Sequence, residues 1–180
     1  MKSINQILFA VLTITVFILG SNSIVQAQVG LFGFEPRLGF VNPEDEIGST
    51  FILAVTGDLG KLADQIKFEG TIDYWNKSYD IVGSTDELSF KNLGFIGCAR
   101  YDFPTEGSAV PFGFAGLGIH FMSASIGDLS NSEMEMGLQL GGGIDVPMGT
   151  NTFVGRAGMD FNGGANYLFL TAGLRFATGG

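Results

Sequence analysis

The chain has 180 residues, of which 46% are hydrophobic and only 15% charged, with 18 acidic side chains against nine basic ones and a formal charge of −9. Nucleic acid is excluded as a partner by this balance, because phosphate binding needs a concentrated basic surface. A single cysteine, Cys98, excludes a disulfide within the chain, so stability has to come from backbone pairing and packing.

The first 27 residues read as an export signal. Met1, Lys2 and Ser3 form a short basic start, Ile7 to Leu19 is an apolar and Thr stretch, and Gly20 to Ala27 is small and polar, with cleavage expected after Ala27. A retained membrane helix needs roughly 20 apolar residues, more than this core supplies. No cysteine follows the core, so an acylated terminus is not expected. The mature chain, 28–180, reads as one domain and has no further run long enough for a membrane helix. A protein that must cross the inner membrane without stopping there hides its hydrophobicity in this way, by alternation.

Alternation of apolar and polar residues appears eight times, separated by turn signals, and predicts strands at Val29 to Val41, Thr50 to Gly60, Gln65 to Lys77, Leu88 to Phe103, Pro111 to Ser123, Glu133 to Val146, Thr152 to Phe161 and Tyr167 to Phe176. In the first, Phe32, Phe34, Pro36, Leu38 and Phe40 share one face; in the second, Phe51, Leu53, Val55, Gly57 and Leu59 do. The stripe continues through Ile72 and Tyr74, Phe95 and Tyr101, Leu117 and Phe121, Leu138 and Leu140, and Met159 and Phe161, and ends with Leu168, Leu170, Ala172, Leu174 and Phe176. If the strands run alternately up and down, Phe40, Phe51, Tyr74, Phe121 and Phe161 gather at one rim, and Phe32, Tyr101, Phe103, Phe153 and Phe176 at the other. Two aromatic rims around an aliphatic belt suit the interfaces of a membrane.

The opposite register carries Glu35, Arg37, Asp58, Lys67, Glu69, Asp73, Arg100, Asp102, Asp145, Arg156, Asp160 and Arg175, besides His120, Glu133, Glu135 and Gln139. Parity alone does not say which face is wet. An eight-stranded barrel has an interior just filled by side chains. Glycines on the charged register, among them Gly39, Gly94, Gly116, Gly118, Gly137, Gly141, Gly143, Gly158 and Gly173, leave room there for long Arg and Glu chains. Buried charges must pair, so the expectation is an interior ion-pair ladder and no wide pore. The connections at Lys61 to Asp64, Pro104 to Val110 and Pro147 to Asn151 are read as inner turns. Those at Asn42 to Ser49, Ser78 to Glu87, Ala124 to Ser132 and Asn162 to Asn166 are read as outer, and three of the four are the longer and more acidic connections.

These features resemble the small eight-stranded outer-membrane barrels, the group that contains the OmpA transmembrane domain, OmpW and the opacity-type surface proteins. Pro111 to Gly118 is similar to the group's Pro-aromatic-x-Gly-x-Gly-x-Gly strand, and Gly141 to Asp145 followed by Pro147 to its sixth strand and turn. Thr171 to Phe176 resembles the carboxy-terminal signal read by the barrel-assembly machinery, with Gly173 and Phe176 its carriers, although Ala177, Thr178, Gly179 and Gly180 follow the aromatic residue here. The resemblance implies an all-β, antiparallel, up-and-down transmembrane barrel in the outer membrane, a monomer whose partners are lipid and the assembly machinery. No peptidoglycan-binding domain is expected after the barrel.

No catalytic, cofactor or metal site is expected. His120 reads as a hydrogen-bonded interior residue, and Ser123 is out of register with it, unlike the paired His and Ser of outer-membrane lipid deacylases. Cys98 reads as inert interior packing and Trp75 as a rim residue. Glu44, Asp45 and Glu46 lack the spaced ligands of a calcium loop, and Gly141 to Gly143 lies within a strand with no helix after it, so it is no phosphate loop. The leading functional reading is a non-enzymatic structural or surface-interaction barrel with acidic outer loops. A narrow conduit for small apolar molecules, by analogy to OmpW, and a soluble lipocalin-type binding barrel, whose interior would take the apolar register, are the alternatives.

Overall fold

A computed structural model describes residues 28–44, 47–80, 87–127, 129–163 and 166–178; the expected signal peptide and its cleavage point, and Asp45 and Glu46, lie outside these. Eight antiparallel strands follow one another: β1 (Gln28–Pro43), β2 (Thr50–Ala63), β3 (Ile66–Asp80), β4 (Glu87–Asp102), β5 (Val110–Ile126), β6 (Leu129–Met148), β7 (Asn151–Asn162) and β8 (Tyr167–Ala177). Each pairs with the next and β8 pairs back onto β1, closing the sheet into an up-and-down barrel. Closure leaves no open edge, so every strand finds backbone partners on both sides.

The charged register faces inward and the apolar register outward. Glu35, Arg37, Glu69, Asp73, Arg100, His120, Arg156 and Asp160 are buried, while Leu38, Phe51, Leu53, Ile72, Leu117, Met136 and Leu170 are exposed. A lipocalin-type barrel has the reverse arrangement. Phe40 and Phe51 contact each other at 4.9 Å on the outer surface toward the end away from the termini, and Phe34 stacks on Phe176 at 5.1 Å at the terminus end.

Strand ends differ most from expectation at the far end. β3, β5 and β6 run three or four residues farther, so Ser78 to Asp80, Ala124 to Ile126 and Leu129 to Ser132, read as loop, are strand. Clusters of Ser, Asn and Asp signal loops, but here a cross-strand partner satisfies each backbone group, and Ile126 pairs directly with Leu129. At the other end Met148 pairs with Asn151, leaving a two-residue turn that starts at Gly149 with φ of 66°, a conformation suited to glycine in tight hairpins.

Two glycines allow the barrel to close. A Cβ on Gly39 would lie 2.0 Å from the carbonyl oxygen of Leu170, and one on Gly173 would lie 2.1 Å from that of Pro36. Both meet backbone of the neighbouring strand, which cannot swing aside. Gly39→Ala is therefore expected to destabilise the protein by about 1–3 kcal/mol, as overpacking does, seen as a lower urea midpoint. An unchanged midpoint would show slack in the β1–β8 seam.

Candidate functional site

The interior is built in two polar layers beneath an apolar lid. In the layer nearer the termini, Arg156 on β7 donates from Nε to Glu35 on β1 at 2.8 Å and from Nη1 to Glu69 on β3 at 2.8 Å. Glu35 also accepts from Arg175 on β8 at 2.6 Å, Arg175 reaches Asp145 on β6 at 2.5 Å, and Asp145 accepts from Arg100 on β4 at 2.5 Å. Arg100 returns to Glu69 at 3.4 Å. Three arginines and three carboxylates thus alternate around a closed circuit that joins six of the eight strands across the lumen. Arg37 attaches to it through Glu35 at 3.2 Å and donates to the hydroxyls of Thr171 and Thr56. Asp102 attaches through Arg100 at 2.6 Å and pairs with Lys67 at 2.8 Å.

Aromatic rings pack into this circuit. The Arg100 guanidinium lies 3.6 Å from the centre of the Phe112 ring, a favourable cation–π contact once water is excluded. The expectation that glycines make room for Arg and Glu chains needs correcting at several positions, where the space is taken by phenylalanine. A Cβ on Gly143 would sit 2.3 Å from Phe112, one on Gly141 2.4 Å from Phe114, and one on Gly158 2.7 Å from Phe169. Phe112 and Phe114 share the register of His120, and that parity is the signal by which the sequence marks them as interior.

The second layer holds Asp73, Asp160 and His120. Asp160 lies 3.3 Å from His120 Nε2 and accepts from Gln139 and Asn162; Asp73 accepts from Asn92 and from the hydroxyl of Tyr167, both at 3.4 Å. These two aspartates therefore stand apart from the ion-pair circuit. Asp58 does too. It pairs across the strands with Glu69, beside a register shift between Asp58 and Gly60, and its carboxylate accepts from the Gly60 amide at 3.0 Å. Cys98 is buried and free, 3.8 Å from the Gln139 side-chain oxygen.

Above this layer Val41, Ile47, Ile52, Trp75 and Tyr167 are buried together, with Phe90 and Met122 packed against them. Trp75 is a correction: it is 1% exposed and meets the Tyr167 ring edge-on at 6.0 Å, so it closes the lumen and does not stand at the rim. It neighbours the outward Tyr74, and period two places it inside. Ile47, from the β1–β2 connection, completes the lid.

A closed eight-stranded barrel with paired charges within and a broad apolar belt outside is the fold of the small outer-membrane-type β-barrels. No protein-family model matches the chain, and no curated protein matches it in sequence. Solved structures share the fold. Neisserial surface protein A superposes with a TM-score of 0.62 at 16% identity, over 83% of this chain and 98% of that one. A major outer membrane protein of Thermus thermophilus gives 0.55 at 15% identity, over 82% and 100%. The Yersinia pestis attachment invasion locus protein Ail, in complex with the heparin analogue sucrose octasulfate, gives 0.52 at 15% identity, over 82% and 100%.

Proposed function

We propose that this chain is a non-enzymatic barrel of the outer membrane, exported by a signal cleaved after Ala27, with a structural ion-pair core and an acidic outer end that serves surface interaction. The observation that carries this reading is the inverted polarity: aliphatic and aromatic side chains exposed all round, guanidinium and carboxylate groups buried. Such an exterior is stable against lipid and not against water. Every strand has at least the 11 residues of β8, enough for a tilted strand to span a bilayer.

Other features fit the same reading. The circuit and its lid fill the lumen, which disfavours a conduit. His120 is sealed between Asp160 and Tyr167, with no path to a lipid substrate. Gly173 in the closing seam and Phe176 stacked on Phe34 support reading Thr171 to Phe176 as an assembly signal, because β8 completes the ring. The outer connections lack basic residues, so a sulfated sugar of the kind bound by the Ail barrel is a poor fit, and the partner sought is of opposite charge.

Fractionation followed by electrophoresis with and without boiling tests the proposal. Recovery in the outer membrane, with mobility that shifts on heating, is the expected result. Recovery as a soluble periplasmic protein would overturn it.

A further inference from the structure

Toward the far end the wall reverses its character while keeping its register. Without a register shift, Tyr79 pairs with Leu88, Leu88 with Ile126 and Ile126 with Leu129. Phe90 and Met122 lie on the same register and pack inward against the lid, so Leu88, Ile126 and Leu129 face inward above it. The opposite face at this height carries Ser89, Ser125 and Ser130, with Ser123 and Ser132 in hydroxyl contact at 3.1 Å. Lower down, grease faces out and polar groups face in; here hydroxyls face out and grease faces in. Serine on the outside marks the part of the wall that has left the lipid.

The inward aliphatic face has no cover among the described residues. Ile126 is 47% and Leu129 78% exposed, and with Leu88 they bound a shallow depression of about 380 Å³. Among the described residues at this end Glu44, Asp80 and Glu87 are acidic, and the four outer connections contain no Lys or Arg. Glu133 and Glu135 lie on the inward register below Leu129, and no ion pair engages them among the described residues. The inward Lys77 is already engaged, donating to the Ser49 carbonyl at 3.0 Å and lying over the Tyr79 ring. A negative field around an apolar surface attracts cations and repels anions.

We propose that this face binds a cationic amphiphile, a molecule with an apolar chain and a positively charged head, the chain lying on Leu88, Ile126 and Leu129 and the head among the rim carboxylates. The inference rests on the reading of this end as the outward one. It needs the two features together, since the apolar face would take any amphiphile and the charge decides which.

Methyl NMR of the full barrel in phosphatidylcholine nanodiscs provides the test, with octyltrimethylammonium as probe and octanoate as its anionic match. Saturable shifts of the Ile126 and Leu129 methyls are expected with the ammonium, at least tenfold weaker with octanoate, while Leu170 on the lipid face reports partitioning alone. Leu129→Ser should weaken binding at least tenfold, and Glu87→Gln with Glu133→Gln, which leave the apolar face intact, should reduce the preference over octanoate. Equal binding of both probes, or linear shifts shared with Leu170, would overturn the inference. A barrel that inserts into nanodiscs yet shows either result leaves the membrane reading standing, whereas a chain that stays soluble defeats that reading itself.

Discussion

Glu35→Ala is expected to lower the stability of the barrel by about 3–5 kcal/mol, the scale seen when one partner of a buried ion pair is removed. Glu35 is the carboxylate on which Arg37, Arg156 and Arg175 converge. Arg156 keeps Glu69 and Arg175 keeps Asp145, but the closest groups left to Arg37 are the hydroxyls of Thr171 and Thr56. Its guanidinium would remain buried without a carboxylate in contact. Urea unfolding of the refolded protein in phospholipid vesicles measures the loss. Glu106→Gln, on an exposed connection, should stay within about 0.5 kcal/mol in the same assay. A loss below about 1 kcal/mol for Glu35→Ala would mean that water reaches the circuit and that the lid of Ile47 and Trp75 does not seal it.

The second large effect concerns the other face of the wall. Leu117→Arg and Leu170→Arg should each cost about 2–4 kcal/mol in a bilayer, the penalty for a basic side chain near its midplane. Leu117 on β5 is 49% and Leu170 on β8 63% exposed, both on the outward face. Ser125→Arg, on the same outward face of β5 but at the serine level, should cost only about 0–1 kcal/mol because the charge reaches water. The contrast between Leu117 and Ser125 maps the edge of the hydrocarbon along a single strand. A neutral Leu117→Arg in an inserted protein would reverse inside and outside.

Strand count and face composition are legible in the sequence because a period of two sorts residues without reference to any neighbour. Phe153 to Phe161 and Tyr167 to Phe176 announce a hairpin from spacing alone, and the same parity places Arg156 and Arg175 opposite the greasy stripe. Trp75 is harder to read although parity is available, since an aromatic residue beside Tyr74 suggests a rim. The extra length of β3, β5 and β6 is hidden for a different reason: serine and asparagine are turn formers in isolation, and only a paired neighbour makes them strand.

Alternation along the chain is therefore enough to establish eight strands, two chemically distinct faces and the absence of any need for a disulfide, since each of these is a local property of the chain. Which face turns inward, which carboxylate meets which arginine, and where phenylalanine fills the space above a glycine are decided by closure of the barrel. Closure sets the height of each strand against the next, and that stagger brings Glu35, Glu69 and Arg156 to one level across the lumen although they are far apart in sequence. It also leaves Asp58 outside the circuit, its carboxylate taken up by the Gly60 amide. Alternation is symmetric between its two faces; only the ring, with one side narrow enough to exclude water and the other open, breaks that symmetry.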